Sequence, residues 1–442
     1  MERVKELEEE NAFLKAQLNE NSRNSNRPPS SDGFKKKPAI AKPKGKQRGG
    51  QRGHKGKTLE MVATPDIVKQ HAPQKCLCGQ SLRKVKSQVL SRRQVFDLPA
   101  PKLEVTEHQL VACVCPNCER LNVGDFPIDV VAGTQYGSGV KSLVTLLNTS
   151  LNVPFKKIRQ FFKDVYGADL NEATQQKAQQ RCADLLNLSE AQIREQLINA
   201  AVSHFDETGM RVAGKLHWLH NCSNAMFTYL FVHPKRGKEA LDDPASILPD
   251  YQNWAIHDCW PSYFKYTNCQ HGLCGAHLLR ELQSCIERGS SWAIRMHALL
   301  MYTYEKSEKG NHIVSDYDFI DRQYKRICAS AQKEEPPPQY RYKKKRPKKT
   351  KGRNLLERLV KYQPEVLAFA RYAHIPFTNN QAERDIRPAK IKLKVATSFR
   401  TLKGAQVYAR IQSFISTTRK HQLNVFNELV ATFNGYNFLT PI

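Results

Sequence analysis

The sequence predicts an α/β protein, and three observations carry that expectation. Residues 201–205, 215–221, 226–233 and 254–258 form short apolar or alternating runs that read as strands. Segments with helical periodicity flank them, at 140–186 and again from 276 onward. Ahead of both, two cysteine knuckles are joined by the alternating stretches 88–98 and 103–113, which read as further strands. A chain of 442 residues has room for two or three such domains.

The formal net charge of +27 points to a polyanionic partner, nucleic acid first and an anionic membrane surface second. No run of about eighteen apolar residues exists, so no transmembrane helix is expected. The N-terminus, Met1-Glu2-Arg3-Val4-Lys5-Glu6, is charged rather than an apolar signal. Twelve cysteines without a secretory signal indicate a reducing compartment, where thiols serve as metal ligands or core residues.

Residues 1–20 are expected to form a coiled-coil segment. Val4, Leu7, Asn11, Leu14 and Leu18 fall on an a/d heptad pattern, with Glu10 and Lys15 at g and e; a plain amphipathic helix is the alternative. Residues 21–58 read as a disordered basic linker. An Asn-, Ser- and Pro-rich run is followed by Lys35, Lys36, Lys37, Lys42, Lys44, Lys46, Arg48, Arg52, Lys55 and Lys57 without acids. Arg48, Arg52 and Lys55 are chosen as phosphate contacts.

Residues 59–132 read as a zinc ribbon. Cys76-Leu77-Cys78-Gly79 and Cys113-Val114-Cys115-Pro116-Asn117-Cys118 supply the knuckles, and four thiolates close a tetrahedral structural zinc site. Cys76, Cys78, Cys115 and Cys118 are the chosen ligands, although the first pair is tightly spaced and Cys113 could replace one of them. Residues 133–199 hold three expected helices, 140–151, 154–166 and 172–186, which suit either a helix-turn-helix-like DNA module or plain packing.

In the β-rich centre, 200–278, Asp206 and Asp258 each end an apolar run at a strand end, and 276–286 returns to helical periodicity. Residues 279–375 read as a helical insertion, with helices at 292–304, 316–331 and 355–372, the last interrupted near Pro364. It includes an exposed basic loop, 343–353, from which Lys344, Lys345, Arg346, Lys348 and Lys349 are expected to touch phosphates.

The last segment, 376–442, holds Thr378-Asn379-Asn380-Gln381-Ala382-Glu383-Arg384-Asp385-Ile386-Arg387, a polar run that suits a site holding a metal and gripping phosphates. The bland alternative is helix capping, with Asn380 as N-cap and Glu383 closing a capping box. Pro388 biases Arg387 away from helical geometry and predicts a kink or an end there. Asp206, Asp258 and Glu383 together make a D…D…E set. Convergent carboxylates are what hard divalent cations require, and paired metals promote in-line phosphoryl displacement.

With these residues in place, the chain resembles a DDE transposase of the insertion sequence 66 family over nearly its whole length. The match runs through 21–32, 49–56 and the cysteine knuckles. It continues through His204-Phe205-Asp206-Glu207-Thr208-Gly209, Asp258-Cys259-Trp260-Pro261-Ser262-Tyr263 and Cys274-Gly275-Ala276-His277-Leu278-Leu279-Arg280-Glu281. It ends in 379–387, Phe399-Arg400-Thr401 with Gly404, and 416–420.

The resemblance implies an RNase H-like core split into 200–278 and 376–442, with Asp206 and Asp258 on strands and Glu383 on a helix. It implies two Mg²⁺ ions that cut double-stranded DNA at element ends and join the freed 3′-hydroxyl to target DNA. Arg384, Arg387 and Arg400 are expected to contact DNA, and Cys274, His277 and Asn380 to support the site. Cys274-x-x-His277 resembles a motif that follows the second aspartate in several DDE transposase families. It is read here as active-site support through hydrogen bonds, in preference to a second zinc site shared with Cys259, Cys269 and His271. A homo-oligomer, accessory proteins of the same element, the bacterial cytoplasm and nucleoid association, and no membrane partner complete the expectation. The rival class is a DNA-binding repressor or accessory protein without catalysis, and the D…D…E set argues against it.

Overall fold

The computed structural model describes residues 59–127, 129–308, 314–338 and 349–440, with positions 11, 21 and 24. The coiled-coil expectation, the basic linker with Arg48, Arg52 and Lys55, and the loop residues Lys344, Lys345, Arg346 and Lys348 lie outside the described residues. The chain divides into two units, 34–105 and the remainder.

Within 59–105 the described chain is extended and exposed, and an isolated bridge between Lys75 and Ser81 closes the turn that carries Cys76 and Cys78. The turn is tightened by Cys76 N–H to the Gln80 carbonyl at 2.9 Å and by Gly79 at φ 93°, a conformation that favours glycine. The strands expected at 88–98 and over most of 103–113 are not formed. Alternation marks a face but supplies no neighbour, and a strand is stable only when its N–H and C=O groups find a ladder.

In the larger unit, β1 (Ala112–Val114) and β2 (Leu121–Val123) form a short antiparallel hairpin with Cys115 and Cys118 in its turn. Four helices follow: α1 (Ser138–Thr145), prolonged by a π-turn over Leu146–Ser150, α2 (Phe155–Tyr166), α3 (Glu172–Leu185) and α4 (Asn187–Ile198). Gly167 at φ 67° ends α2, and the Asn171 side chain accepts the Thr174 N–H at 2.8 Å to start α3. Ile158, Phe162, Val144 and Leu170 bury the inner faces of α1 and α2.

Five strands build the central sheet: β3 (Val202–Val212), β4 (Lys215–Ser223), β5 (Thr228–His233), β6 (Trp254–His257) and β7 (Gln270–Leu273). Their spatial order is β5-β4-β3-β6-β7. The first three pair antiparallel, whereas β6 and β7 join parallel to β3. Ala213 and Gly214, both at positive φ, make the two-residue β3–β4 turn, as a tight hairpin between twisted strands requires. Asp206 does not end its strand as expected. The pattern Thr208, Met210, Val212 keeps burying one face, so β3 runs on past it, and Asp206 pairs with Asn221 in the middle of the ladder. Asp258 does follow directly on β6.

After the short α5 (Lys238–Leu241), helices α6 (Gly275–Ile286), α7 (Ser291–Glu308), α8 (Tyr317–Glu334) and α9 (Lys351–Lys361) form the helical layer, followed by α10 (Gln363–Val366) and α11 (Ala368–Arg371). Pro364 interrupts this last stretch as expected, since proline lacks the N–H that would continue the preceding helix. Trp292, Met296, Leu300, Tyr324 and Leu356 are fully buried between these helices, next to Ile256 and Leu273 of the sheet. The Glu334 carboxylate accepts Ser291 N–H at 2.9 Å and Trp292 N–H at 3.2 Å, capping α7 from the end of α8.

The chain closes with α12 (Asn380–Ala396), α13 (Leu402–Lys420) and α14 (Val425–Phe433). Met210, Val212, Leu219 and Leu230 of the sheet pack on Ile386 and Ala389 of α12 and Ala405 and Tyr408 of α13. Burying each such aliphatic side chain contributes about 1.5–3 kcal/mol. That packing carries α12 straight through Pro388, where a kink or end was expected. The cost is one lost backbone hydrogen bond, and Ile386 and Ala389 on either side are buried against β3 and β4. No described helix is long and apolar enough to cross a membrane.

Candidate active site

Because successive strand residues face opposite sides of a sheet, Asp206 and Glu207 part company at once. Glu207 turns toward the cluster that holds Phe205 and Tyr263, where only 2% of its side chain is exposed. There its carboxylate accepts Arg236 Nε–H at 2.7 Å and the Tyr263 hydroxyl at 2.5 Å. Arg236 in turn lies over the rings of Trp260, at 4.4 Å, and Trp218, at 5.0 Å. Asp206 has no such partner: its Oδ1 accepts the neighbouring Glu207 N–H at 2.9 Å, and no cation reaches it at ion-pair distance among the described residues.

Burial pushes the Asp206 carboxyl well above the usual range, and the charges of Glu207 and Asp258 push the same way. Asp258, whose Oδ1 accepts the Trp260 N–H at 3.0 Å, is pushed up to about 6, first by burial and then by Glu207. Asp206 on β3 and Asp258 just beyond the parallel β6 thus lie close enough for the charge of Asp258 to act on Asp206. Two oxygen-rich, partly desolvated side chains held together against their repulsion form a donor set that fits a hard divalent cation.

Glu383 sits in the first turn of α12 with 32% of its side chain exposed. Its Oε1 is 3.5 Å from an Arg280 guanidinium nitrogen and 3.9 Å from His277 Nδ1. The ligand-type atoms of Cys274, His277 and Glu383 lie within 4.8 Å of one another, a cluster that includes neither aspartate. Asp258, Trp260, Cys259, Cys274, His277 and Arg358 nevertheless line one cavity of about 160 Å³, so the second acid shares a space with Cys274 and His277, though Glu383 is not in its lining. Burial, with Arg280 adding to it, lowers His277 to about 4, leaving a neutral imidazole at pH 7. Burial raises the Cys274 thiol.

What ties α12 to the sheet is Asn379. This 2% exposed residue accepts the His204 Nδ1–H at its Oδ1, 2.9 Å, donates its Nδ2–H to the Phe205 carbonyl at 2.7 Å, and sends its backbone N–H to Cys274 Sγ at 3.1 Å. Asn379, not Asn380, stands at the helix N-cap, and its side chain makes no cap bond to the helix. The capping-box alternative is therefore absent, and Asn380, expected to support the site, is exposed. At the other end of this joint Gly275 N–H binds the Phe377 carbonyl at 2.8 Å, and a Cβ on Gly275 would overlap the Phe377 ring.

Residues 133–407, well over half of the chain, match the Transposase IS66 family. The chain belongs to the IS66 transposase family. Residues 1–60 also match a family of unknown function, DUF6444. No curated protein matches the chain.

In this IS66 transposase Arg384, Arg387 and Arg400 are exposed, Arg384 with a 2.7 Å bond to Gln381. Lys349 is held by Glu357 at 2.5 Å, and Arg353 binds Glu357, Gln332 and the Glu335 carbonyl, so the described end of the basic loop is occupied within the protein. Asp385, inside the same motif as Glu383, has a structural task. It pairs with half-buried Lys420 at 2.7 Å, which also donates to the carbonyls of Asn224 and Phe227 at 2.8 Å each. Of the expected zinc ligands, Cys76, Cys78 and Cys118 are exposed and Cys115 is half-buried; Cys113 lies on β1. Hydrogen bonds from Cys78 lower the Cys76 thiol, and the Asn117 and Cys118 N–H groups lower Cys115, as suits thiolate ligands.

Sequence reasoning missed Glu207, Arg236 and Asn379. The first two signal themselves only as an acid directly after Asp206 and a lone arginine, and the third stands beside the asparagine chosen instead.

Proposed function

We propose that this transposase cleaves the ends of an insertion sequence and joins the 3′-hydroxyl ends to target DNA, with Asp206, Asp258 and Glu383 as the acids of its catalytic site. The observation that carries the proposal is the pair Asp206 on β3 and Asp258 directly after the parallel β6, both half-buried with raised carboxyls and, among the described residues, without a cation at ion-pair distance. A sheet of three antiparallel strands continued by two parallel ones, with helices on its faces, supports an RNase H-like core. Two Mg²⁺ ions, when bound, supply activation of the attacking oxygen and stabilisation of the leaving one. Asp206 and Asp258 supply hard oxygen donors from a rigid sheet, and Glu383 is the third donor, carried on a side chain free enough to leave Arg280. Exposed Arg384, Arg387 and Arg400 hold DNA phosphates. From the sequence we retain a structural Zn²⁺ on the Cys76, Cys78, Cys115 and Cys118 thiolates, self-association through 1–20, and work alongside accessory proteins at the bacterial nucleoid.

The test is purified full-length protein with Mg²⁺, its element's accessory proteins and DNA bearing the terminal repeats, wild type against Asp206→Asn. Cleavage and joining by the wild type alone is expected. Binding without either reaction in the wild type would falsify the catalytic assignment.

A further inference from the structure

The three side chains around Glu383 differ in chemistry from the two aspartates. Cys274 offers sulfur, His277 a neutral imidazole nitrogen and Glu383 one oxygen, all within 4.8 Å. Hard Mg²⁺ takes oxygen ligands, whereas a mixed sulfur, nitrogen and oxygen set selects a borderline-soft ion. His277 Nδ1 is buried and makes no hydrogen bond, although it faces Glu383. A buried polar atom left without a partner is costly to the fold, so its presence here asks for a ligand. Cys274 already receives the Asn379 N–H at its sulfur, the kind of outer contact that orients and stabilises a metal-bound thiolate.

We propose that Cys274 Sγ, His277 Nδ1 and a Glu383 carboxylate oxygen form a binding site for Zn²⁺ or a cation of its class, separate from the hard-cation site of Asp206 and Asp258. Tetrahedral zinc places its donors about 3.3–3.8 Å apart, given bond lengths near 2.0–2.3 Å. The cluster, within 4.8 Å at present, has to draw in to reach that spacing, and Glu383, with 32% of its side chain exposed, has room to move toward the other two. Binding releases the Cys274 proton to solvent and leaves the fourth position open to water or a DNA oxygen. Arg280 lies 3.5 Å from Glu383 Oε1, the oxygen that also faces His277, so metal binding there moves the guanidinium to the other carboxylate oxygen or to solvent. The consequence for catalysis rests on the function proposed above: zinc here withdraws Glu383 from the Asp206–Asp258 pair, so the two metal sites compete for one carboxylate.

The test is a Co²⁺ titration of the metal-stripped full-length protein, read by the thiolate-to-cobalt charge-transfer band and the visible bands of tetrahedral cobalt. Exposed cysteines between 76 and 118 also take cobalt, so the readout is the difference between variants. Cys274→Ser and His277→Ala should each lose one cobalt equivalent. Cys285→Ser, a buried thiol on the same helix, should lose none. Glu383→Gln should weaken that equivalent at least tenfold, and it serves with His277→Ala if Cys274→Ser fails to fold. Equal stoichiometry and equal bands in wild type, Cys274→Ser and His277→Ala overturn the site. That result leaves the catalytic proposal standing, whereas cobalt binding in a protein that still cleaves DNA as Glu383→Gln refutes the catalytic role and not the site.

Discussion

Two neighbours on β3 received the same kind of side chain and opposite surroundings. Glu207 is enclosed, and its charge is answered by Arg236 and the Tyr263 hydroxyl. Asp206, one residue earlier and on the other face, is half-buried within the field of Glu207 and Asp258. A buried carboxylate with its own cation belongs to the architecture. One held beside other carboxylates costs folding energy and is retained for what it binds. The contrast predicts that removing these two charges shifts stability in opposite directions.

The largest expected effect is on chemistry. Asp206→Asn should lower DNA cleavage by on the order of a thousandfold or more while leaving the melting temperature unchanged or higher. A lower melting temperature would place Asp206 with Glu207 as an architectural residue. Next, Glu207→Ala strands Arg236 between two indoles and should destabilise the fold by about 2–4 kcal/mol, measured by denaturant unfolding. If it instead stabilises, the two faces of β3 are not different in kind.

A pH series sharpens the same point. The folded-state carboxyl of Asp258 is raised to about 6 from an ordinary 3.8, so between those values the folded protein binds more protons than the unfolded chain. Stability from this group therefore falls as pH rises through that window, by about 1–3 kcal/mol when complete. Asp258→Asn should flatten that part of the melting profile, and saturating Mg²⁺ should flatten it in the wild type. An unchanged slope in Asp258→Asn would show that another group titrates there. Smaller still, Asn379→Ala removes the bonds to His204 and Phe205 and should cost about 1–3 kcal/mol with a matching loss of activity. Smallest in stability, Arg384→Ala and Arg387→Ala should change unfolding by less than about 0.5 kcal/mol, yet each should reduce the salt slope of DNA binding by about one.

The same contrast explains how far the sequence could be read. Helices at 140–186 and 276–286 were legible because their signal is local, a repeat of apolar positions within one element. Pro364 was legible for the same reason. Asp206, Asp258 and Glu383, the acids of the proposed site, stand out in the sequence because they are at odds with their apolar or basic surroundings. Glu207 was not, because its meaning depends on Arg236 and Tyr263, which reach it only after the chain has turned through β4, β5 and β6. Pro388 misled because the cost of one missing hydrogen bond is visible in sequence, whereas the packing of Ile386 and Ala389 on β3 and β4 is not. The stretch at 88–98 misled in the reverse direction: its alternation is real, but no partner strand lies beside it among the described residues.

The contact between Gly275 and Phe377 has a topological consequence. The chain departs from the sheet at one of these residues and comes back at the other, so everything between them is an excursion whose two ends are clipped together. Lengthening such an excursion is cheap, since doubling a flexible loop adds only about 0.6 kcal/mol of closure entropy. The position of Glu383 is set by the clip rather than by the length of chain that precedes it. The helical layer can thus gain or lose segments over evolutionary time without changing the reach of Glu383, while its shared core with Ile256 and Leu273 keeps it seated on the sheet.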